Sequence, residues 1–204
     1  MVDLQLRRRG IRDERVLATM LEIQREEFVP LDSRLVAYQD APIHIGEGQT
    51  ISQPYMTALM AESLELRGTE HVLEVGAGCG YAAAVLGAVT ASVITVEILP
   101  RLAKQARDNL RRTGRDFNVK VVTGDGSAGY REGAPYDAIS VAAGAPEIPA
   151  ALVEQLNDPG ILVIPVGAME DQELRVVTLR GGQVDYRVPT LCRFVPLRGG
   201  EGWQ

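Results

Sequence analysis

The chain has little of what several function classes require. Two of its 204 residues are cysteine and two are histidine. Cys79 and Cys192 lie far apart, outside any C-x-x-C pair and with no histidine close by in sequence. That spacing excludes a zinc motif and a disulfide framework, so the expected metal content is none and the expected setting is a reducing cytoplasm. Long apolar runs are missing too: none approaches the ~18 residues of a membrane span. The first ten residues, MVDLQLRRRG, are basic but lead into IRDERVLATM rather than an apolar core, so no secretory signal is expected. Net positive charge is absent, the balance being −6. A phosphate backbone calls for a basic face, so nucleic acid is not the expected partner. Arg7, Arg8 and Arg9 form the one dense basic run and read as the solvated start of a helix.

What is present fits a globular domain with 46% hydrophobic and 24% charged residues. The length fits one domain, and a monomer is expected. Residues 11–27 show helical spacing of Ile11, Val16, Leu17, Met20 and Leu21, with Pro30 expected to end the helix. Residues 31–54 read as loop. Residues 55–66 read as a second helix, closed by Gly68. From there strands and helices alternate: strand 71–75, helix 81–89, strand 92–98, helix 100–114, a strand and turn over 117–126, strand 136–144, helix 146–156 and strand 160–167. Such alternation predicts an α/β fold with a mostly parallel, doubly wound sheet covered on both faces. Two further strands flank Gly181-Gly182 within 173–191 and predict a C-terminal hairpin. The single domain 1–204 therefore divides into an extension (1–68), a core (69–167) and a hairpin with tail (168–204).

The loop VLEVGAGCGY (72–81) joins a strand to a helix, and Gly76, Gly78 and Gly80 allow close backbone approach to a ligand. Dinucleotide enzymes place G-x-G-x-x-G at this point. Here the spacing is G-x-G-x-G, and Tyr81 stands where that pattern wants Gly or Ala. Glu74 precedes the loop; a carboxylate there repels a pyrophosphate and attracts a cation. Glu97 ends the next strand, where a carboxylate accepts bonds from ribose hydroxyls. A ligand with a ribose, a positive charge and no phosphate is S-adenosylmethionine. The pattern resembles motif I and its follower in class I methyltransferases, whose Rossmann-like fold it implies. In that resemblance Gly124-Asp125-Gly126 follows the third strand, with Asp125 meeting the adenine amino group. Ala77 and Ile98 complete the expected cofactor set. Cys79 reads as a small loop filler.

Upstream, GQTISQPYM (48–56) is polar and stiffened by Pro54. Methyl transfer to an amine, phenol or alcohol calls for a base. His71 begins a strand and reads as structural; His44 sits in a loop with no clear role. A carboxylate acceptor is already ionised at neutral pH and needs only donors to orient it. Residue type alone leaves Ser52 with two readings, a donor to such a carboxylate or the N-cap of the helix starting near Pro54. SQPY (52–55) is also similar to the (N/D/S)-P-P-(Y/F) motif of nucleic-acid amino-methyltransferases, but Gln53 replaces the first proline and the chain is acidic.

A closer resemblance runs along the whole chain. FVP (28–30), GQTISQPYMTALM (48–60), LEVGAGCGYAAAVL (73–86), GDG (124–126), APYDAISVAAGAPEIPAAL (134–152), LVIPVG (162–167) and RFVPLRGGEGW (193–203) resemble, in order, the motifs of the protein-L-isoaspartate O-methyltransferase family. The resemblance implies methyl esterification of the free α-carboxylate of L-isoaspartyl residues in damaged proteins and peptides. The ester then cyclises to a succinimide, which opens partly to normal aspartate. It also implies that Ser52 is the active-site serine, that Thr50, Ile51 and Gln53 line the pocket beside the cofactor, and that the tail around Val195-Pro196-Leu197 closes over it. Cys79 stands where the family often has Ser, and Tyr55 where some members have His. Two alternatives stay open: a methyltransferase for another carboxylate, in a peptide natural product or a small molecule, and a binder that has kept the pocket but not the chemistry.

Overall fold

A computed structural model describes residues 1–203. The chain opens with a short π-helical turn, Val2–Leu6, and a 3-10 turn, Arg7–Arg9. Helix α1 (Glu14–Glu22) is capped by Asp13, whose carboxylate accepts from the backbone N–H groups of Arg15 and Val16. It buries Val16, Leu17 and Met20. This helix is shorter than the 11–27 expected. Ile23 is already extended (φ −76°, ψ 113°), well before Pro30. Chain reversal there lets Ile23, Arg25 and Phe28 all turn inward, which one straight helical stripe would not allow.

The expected loop 31–54 holds more structure than its composition suggested. Leu31–Val36 forms a 3-10 turn. Strands β1 (Ile43–Gly46) and β2 (Gln49–Ile51) pair antiparallel, with His44 opposite Thr50 and Ile43 opposite Ile51. Their connection places Glu47 and Gly48 both at positive φ (51° and 69°). Hairpin turns of that hand favour Asn-Gly, so Glu-Gly gave a weak signal. Helix α2 (Pro54–Ser63) begins on its proline and ends before Gly68. The left-handed residue after it is Glu65 (φ 52°), a conformation composition would have assigned to glycine.

The sheet is as expected. Strands β3 (His71–Val75), β4 (Ser92–Glu97), β5 (Val119–Thr123), β6 (Tyr136–Val141) and β7 (Leu156–Gly167) are parallel; β8 (Gln172–Arg180) and β9 (Gln183–Cys192) add antiparallel. The order is β5-β4-β3-β6-β7-β8-β9. Helices α3 (Tyr81–Val89) and α4 (Pro100–Arg112) cross back between the first three. Helix α5 is only Ala150–Val153, shorter than the 146–156 expected, and β7 starts at Leu156, four residues earlier than predicted.

Alternation along the strands divides the core in two. Val72, Val93, Ala138, Val163 and Leu174 face a layer built from α1–α4. Leu73, Val75, Val96, Ile139, Val141 and Leu162 face the other, with Leu152 and Leu197. Each such fully buried aliphatic side chain contributes about 1.5–3 kcal/mol. The winding reverses between β3 and β6: the chain moves outward through β4 and β5, then returns to the far side of β3. A crevice at the carboxyl ends of these two strands is where an open α/β sheet binds its ligand.

Candidate active site

A cleft of about 1060 Å³, counting its open mouth, lies at that reversal. It is formed by the β2–α2 segment, the ends of β3, β4 and β6 with the glycine loop, one side of α3, Gly126 after β5, and the tail at Val195–Arg198. Of the expected residues, Thr50, Ile51, Ser52, Glu74, Gly76, Ala77, Gly78, Glu97, Ile98 and Gly126 line it together. Gln53, Gly80 and Asp125 do not.

Gly76 has φ +93° and its N–H donates to the Val96 carbonyl at 2.8 Å, locking the loop onto β4. Gly80 has φ +88° and lies against α4; a Cβ there would come within 3.2 Å of the Ala106 carbonyl oxygen. Its role is to seat the loop rather than to line the cleft. Glu97 holds the loop from the other side. Its Oε2 accepts from the Gly78 N–H (2.8 Å) and its Oε1 from the Leu99 N–H (3.0 Å). Each carboxylate oxygen carries two lone pairs, so both can also accept from a ligand in the cleft.

Glu74 is fully buried, and burial pushes its carboxyl up to about 8, against the opposing hydrogen bond from Thr95 and with help from the nearby Glu97. Thr95 Oγ1 donates to Oε2 at 2.5 Å, while Oε1 has no partner. Glu74 is thus a buried group with an open bonding position in the lining, where burial disfavours its charged form. Cys79 is also buried, with its thiol pushed up to about 11 by burial, which suits a filler and not a nucleophile.

Asp125 stands beside the cleft, next to Gly126 of the lining. Its Oδ1 accepts from the N–H and hydroxyl of Ser127 (2.9 and 2.6 Å) and its Oδ2 from the Gly200 N–H (2.8 Å). Burial works to raise this carboxyl, but those bonds outweigh it and the net direction is down. These bonds tie the end of β5 to the tail. The tail is fixed again at the end of β6, where the Gly144 carbonyl accepts from Leu197 N–H (2.8 Å) and Trp203 Nε1–H (2.9 Å).

The two readings of Ser52 separate. The N-cap position of α2 is Gln53, whose side chain makes no capping bond. The free N–H of Tyr55 is taken by Asp40 Oδ1 at 3.0 Å. Ser52 contributes only its carbonyl, which accepts from Arg25 Nη2 at 2.7 Å, and it lines the cleft. His71 is bound within the fold by Ser92 Oγ (2.7 Å) and the Gly133 carbonyl (3.0 Å), and His44 is exposed on β1. Sequence reasoning missed Thr57, Met60, Leu99, Ser140 and Ala142 in the lining. Ser140 and Ala142 were within reach of the reversal rule, since they sit at the end of the strand beside β3.

The comparisons decide the family. The family model described as protein-L-isoaspartate(D-aspartate) O-methyltransferase matches residues 1–202. The chain belongs to that family. It is 52% identical to the protein-L-isoaspartate O-methyltransferase of Methanoculleus marisnigri, over 100% of this chain and 92% of that one. A solved protein-L-isoaspartate O-methyltransferase is 32% identical with a TM-score of 0.81; the chain is covered to 96% and spans 64% of that longer chain. A Plasmodium falciparum protein assigned to the same activity, solved with S-adenosyl-L-homocysteine, is 29% identical with a TM-score of 0.78, covering 94% of each chain. In the terms of this family, the residues of the cleft fit S-adenosylmethionine. Glu97 and the open Oε1 of Glu74 offer acceptors, and the glycine loop offers close backbone approach.

Proposed function

We propose that this isoaspartyl methyltransferase works as a self-contained catalyst, with Glu74, Glu97 and the glycine loop holding the cofactor and Ser52 orienting the acceptor carboxylate. The protein methylates isoaspartyl residues with S-adenosylmethionine, the first step of their repair. The cofactor supplies an electrophilic methyl group on a sulfonium. The chain's own residues then have to hold an acceptor oxygen in line with it, and positioning of that kind supplies much of the rate.

One observation carries the acceptor assignment: Ser52 lines the cleft with its hydroxyl outside the capping of α2. With Thr50 beside it, the segment presents donors suited to a carboxylate. Both histidines lie elsewhere, bound within the fold or on the outer face of β1. That favours an acceptor already ionised at pH 7 over one that must lose a proton. Gln53 and Asp125 support the site from behind, through α2 and the tail. The two free cysteines and the net charge of −6 support a cytoplasmic enzyme acting on polypeptide.

The test is methyl transfer from S-adenosylmethionine to paired peptides that differ only in isoaspartyl or aspartyl linkage. The expected product is a base-labile ester on the isoaspartyl peptide alone. Equal labelling of both, or a product stable to mild alkali, overturns the proposal and favours a different acceptor.

A further inference from the structure

Arg25 is the largest fully buried side chain in the protein, at 0% exposure. Its Nε donates to the Ala37 carbonyl (2.8 Å) and its Nη2 to the Ser52 carbonyl (2.7 Å). Nη1 has no partner. Among the described residues it takes part in no ion pair. After Tyr81 and Cys79, the acidic group that acts on it is Asp40, which is already engaged by Arg9 and the Tyr55 N–H. The guanidinium lies over the ring of Tyr81, 4.9 Å from its centroid, and Tyr81 lines the cleft. The Tyr81 hydroxyl is likewise buried without a partner.

A buried cation without a carboxylate is costly, and an apolar side chain of similar volume would stabilise the fold better. Two carbonyls and an aromatic face offset that cost only in part. A reason for keeping the charge lies in what it touches. One fork spans the carbonyl of Ser52 and the end of the 31–36 turn, so it fixes the backbone of the acceptor segment from behind. Its positive charge stands next to the place where an anionic acceptor is read to sit.

We infer that Arg25 is a positioning residue for the acceptor carboxylate, holding Ser52 in place and supplying the positive charge behind it. The inference rests on the reading of Ser52 as the acceptor donor. Lysine at position 25 keeps the charge but loses the fork; methionine loses both. The experiment titrates an isoaspartyl peptide into protein saturated with S-adenosylhomocysteine, and measures S-adenosylhomocysteine affinity and thermal stability on the same samples. Arg25→Lys is expected to weaken peptide binding roughly 10-fold and Arg25→Met roughly 100-fold, with cofactor-product affinity within about 2-fold of wild type. A folded variant with unchanged peptide affinity overturns the inference. So does a loss of cofactor affinity that keeps step with the loss of peptide affinity. If the methionine variant does not fold, the lysine variant decides; if that fails to fold too, Arg25 is structural and the inference is lost. Ser52→Ala runs in parallel. Unchanged peptide binding and turnover in that variant defeats the underlying reading, whereas a loss there with none in Arg25→Lys defeats the inference alone.

Discussion

Glu97 and Ser52 line one cleft, on what we propose are its cofactor and acceptor sides, and they are held in opposite senses. On the cofactor side, backbone N–H groups of Gly78 and Leu99 hold a side chain, the Glu97 carboxylate. On the acceptor side, a side chain, Arg25, holds a backbone carbonyl, that of Ser52. The first arrangement is local: both donors lie on loops at the ends of β3 and β4, the two strands that set the glycine loop. The second spans the fold, since residue 25 belongs to the turn after α1. Backbone donors are supplied wherever a strand ends in a tight loop, so the cofactor side needs few particular residues beyond its glycines and carboxylates. The acceptor side depends on one long side chain reaching from a distant element.

The largest expected effect tests the cofactor side. Glu97→Ala removes the acceptor for a ligand and leaves the Gly78 and Leu99 N–H groups without theirs. Affinity for S-adenosylhomocysteine should fall by about 3 kcal/mol or more, roughly 100-fold or beyond, in a calorimetric titration. Peptide affinity at saturating cofactor product should hold. A fall in both would mean that the two sides are not separately built.

This asymmetry also explains what was legible. The cofactor side could be read because its requirements are local: glycines at fixed spacing, a carboxylate before the loop and another at the end of the next strand. The strands 71–75 and helix 81–89 agree with the structure to the residue for the same reason. The acceptor side was readable only through its likeness to a family. Periodicity did not show that Ile23 breaks α1, that Glu47-Gly48 turns a hairpin, or that Arg25 crosses to Ser52, because each depends on contacts distant in sequence. The tie of Asp125 to the tail was missed for the same reason. Its partner, Gly200, lies on the tail, and no spacing near GDG points there.

Glu74 offers a sharper probe of the cofactor side, since it is a fully buried carboxyl with one oxygen left without a partner. The folded protein holds its proton more tightly than the unfolded chain does. Folding therefore takes up a proton between the ordinary carboxyl range, about 4.3, and the folded value of about 8. The stabilisation is fully present below that window and is lost as pH rises through it. At about 1.4 kcal/mol for each tenfold change in proton affinity, the ligand-free protein should lose on the order of 2–4 kcal/mol by pH 9 relative to pH 5 from this group. Glu74→Gln keeps the shape and removes the proton. Denaturation at the two pH values should then show a smaller drop than in wild type. An equal drop would place the buried proton elsewhere.

The smallest expected effect decides to which side the tail belongs. Val195–Arg198 forms part of the cleft, yet it is fastened by contacts outside it: Asp125 and Ser127 at the end of β5, and Gly144 at the end of β6. Those anchors sit on the sheet that carries the cofactor loop, and none is on the β2–α2 segment. Trp203→Phe deletes one anchor, the bond from Nε1–H to the Gly144 carbonyl, and keeps an aromatic ring of similar bulk. One neutral hydrogen bond is worth about 1 kcal/mol, so S-adenosylhomocysteine affinity should fall roughly 5-fold. Peptide affinity on the saturated protein should move by less than about 2-fold, and thermal stability by little, because Trp203 lies beyond β9 and outside both cores. The reverse outcome, peptide affinity lost with cofactor affinity intact, would assign the tail to the acceptor side. The acceptor segment would then have a second support besides Arg25, and the contrast between the two sides would weaken accordingly.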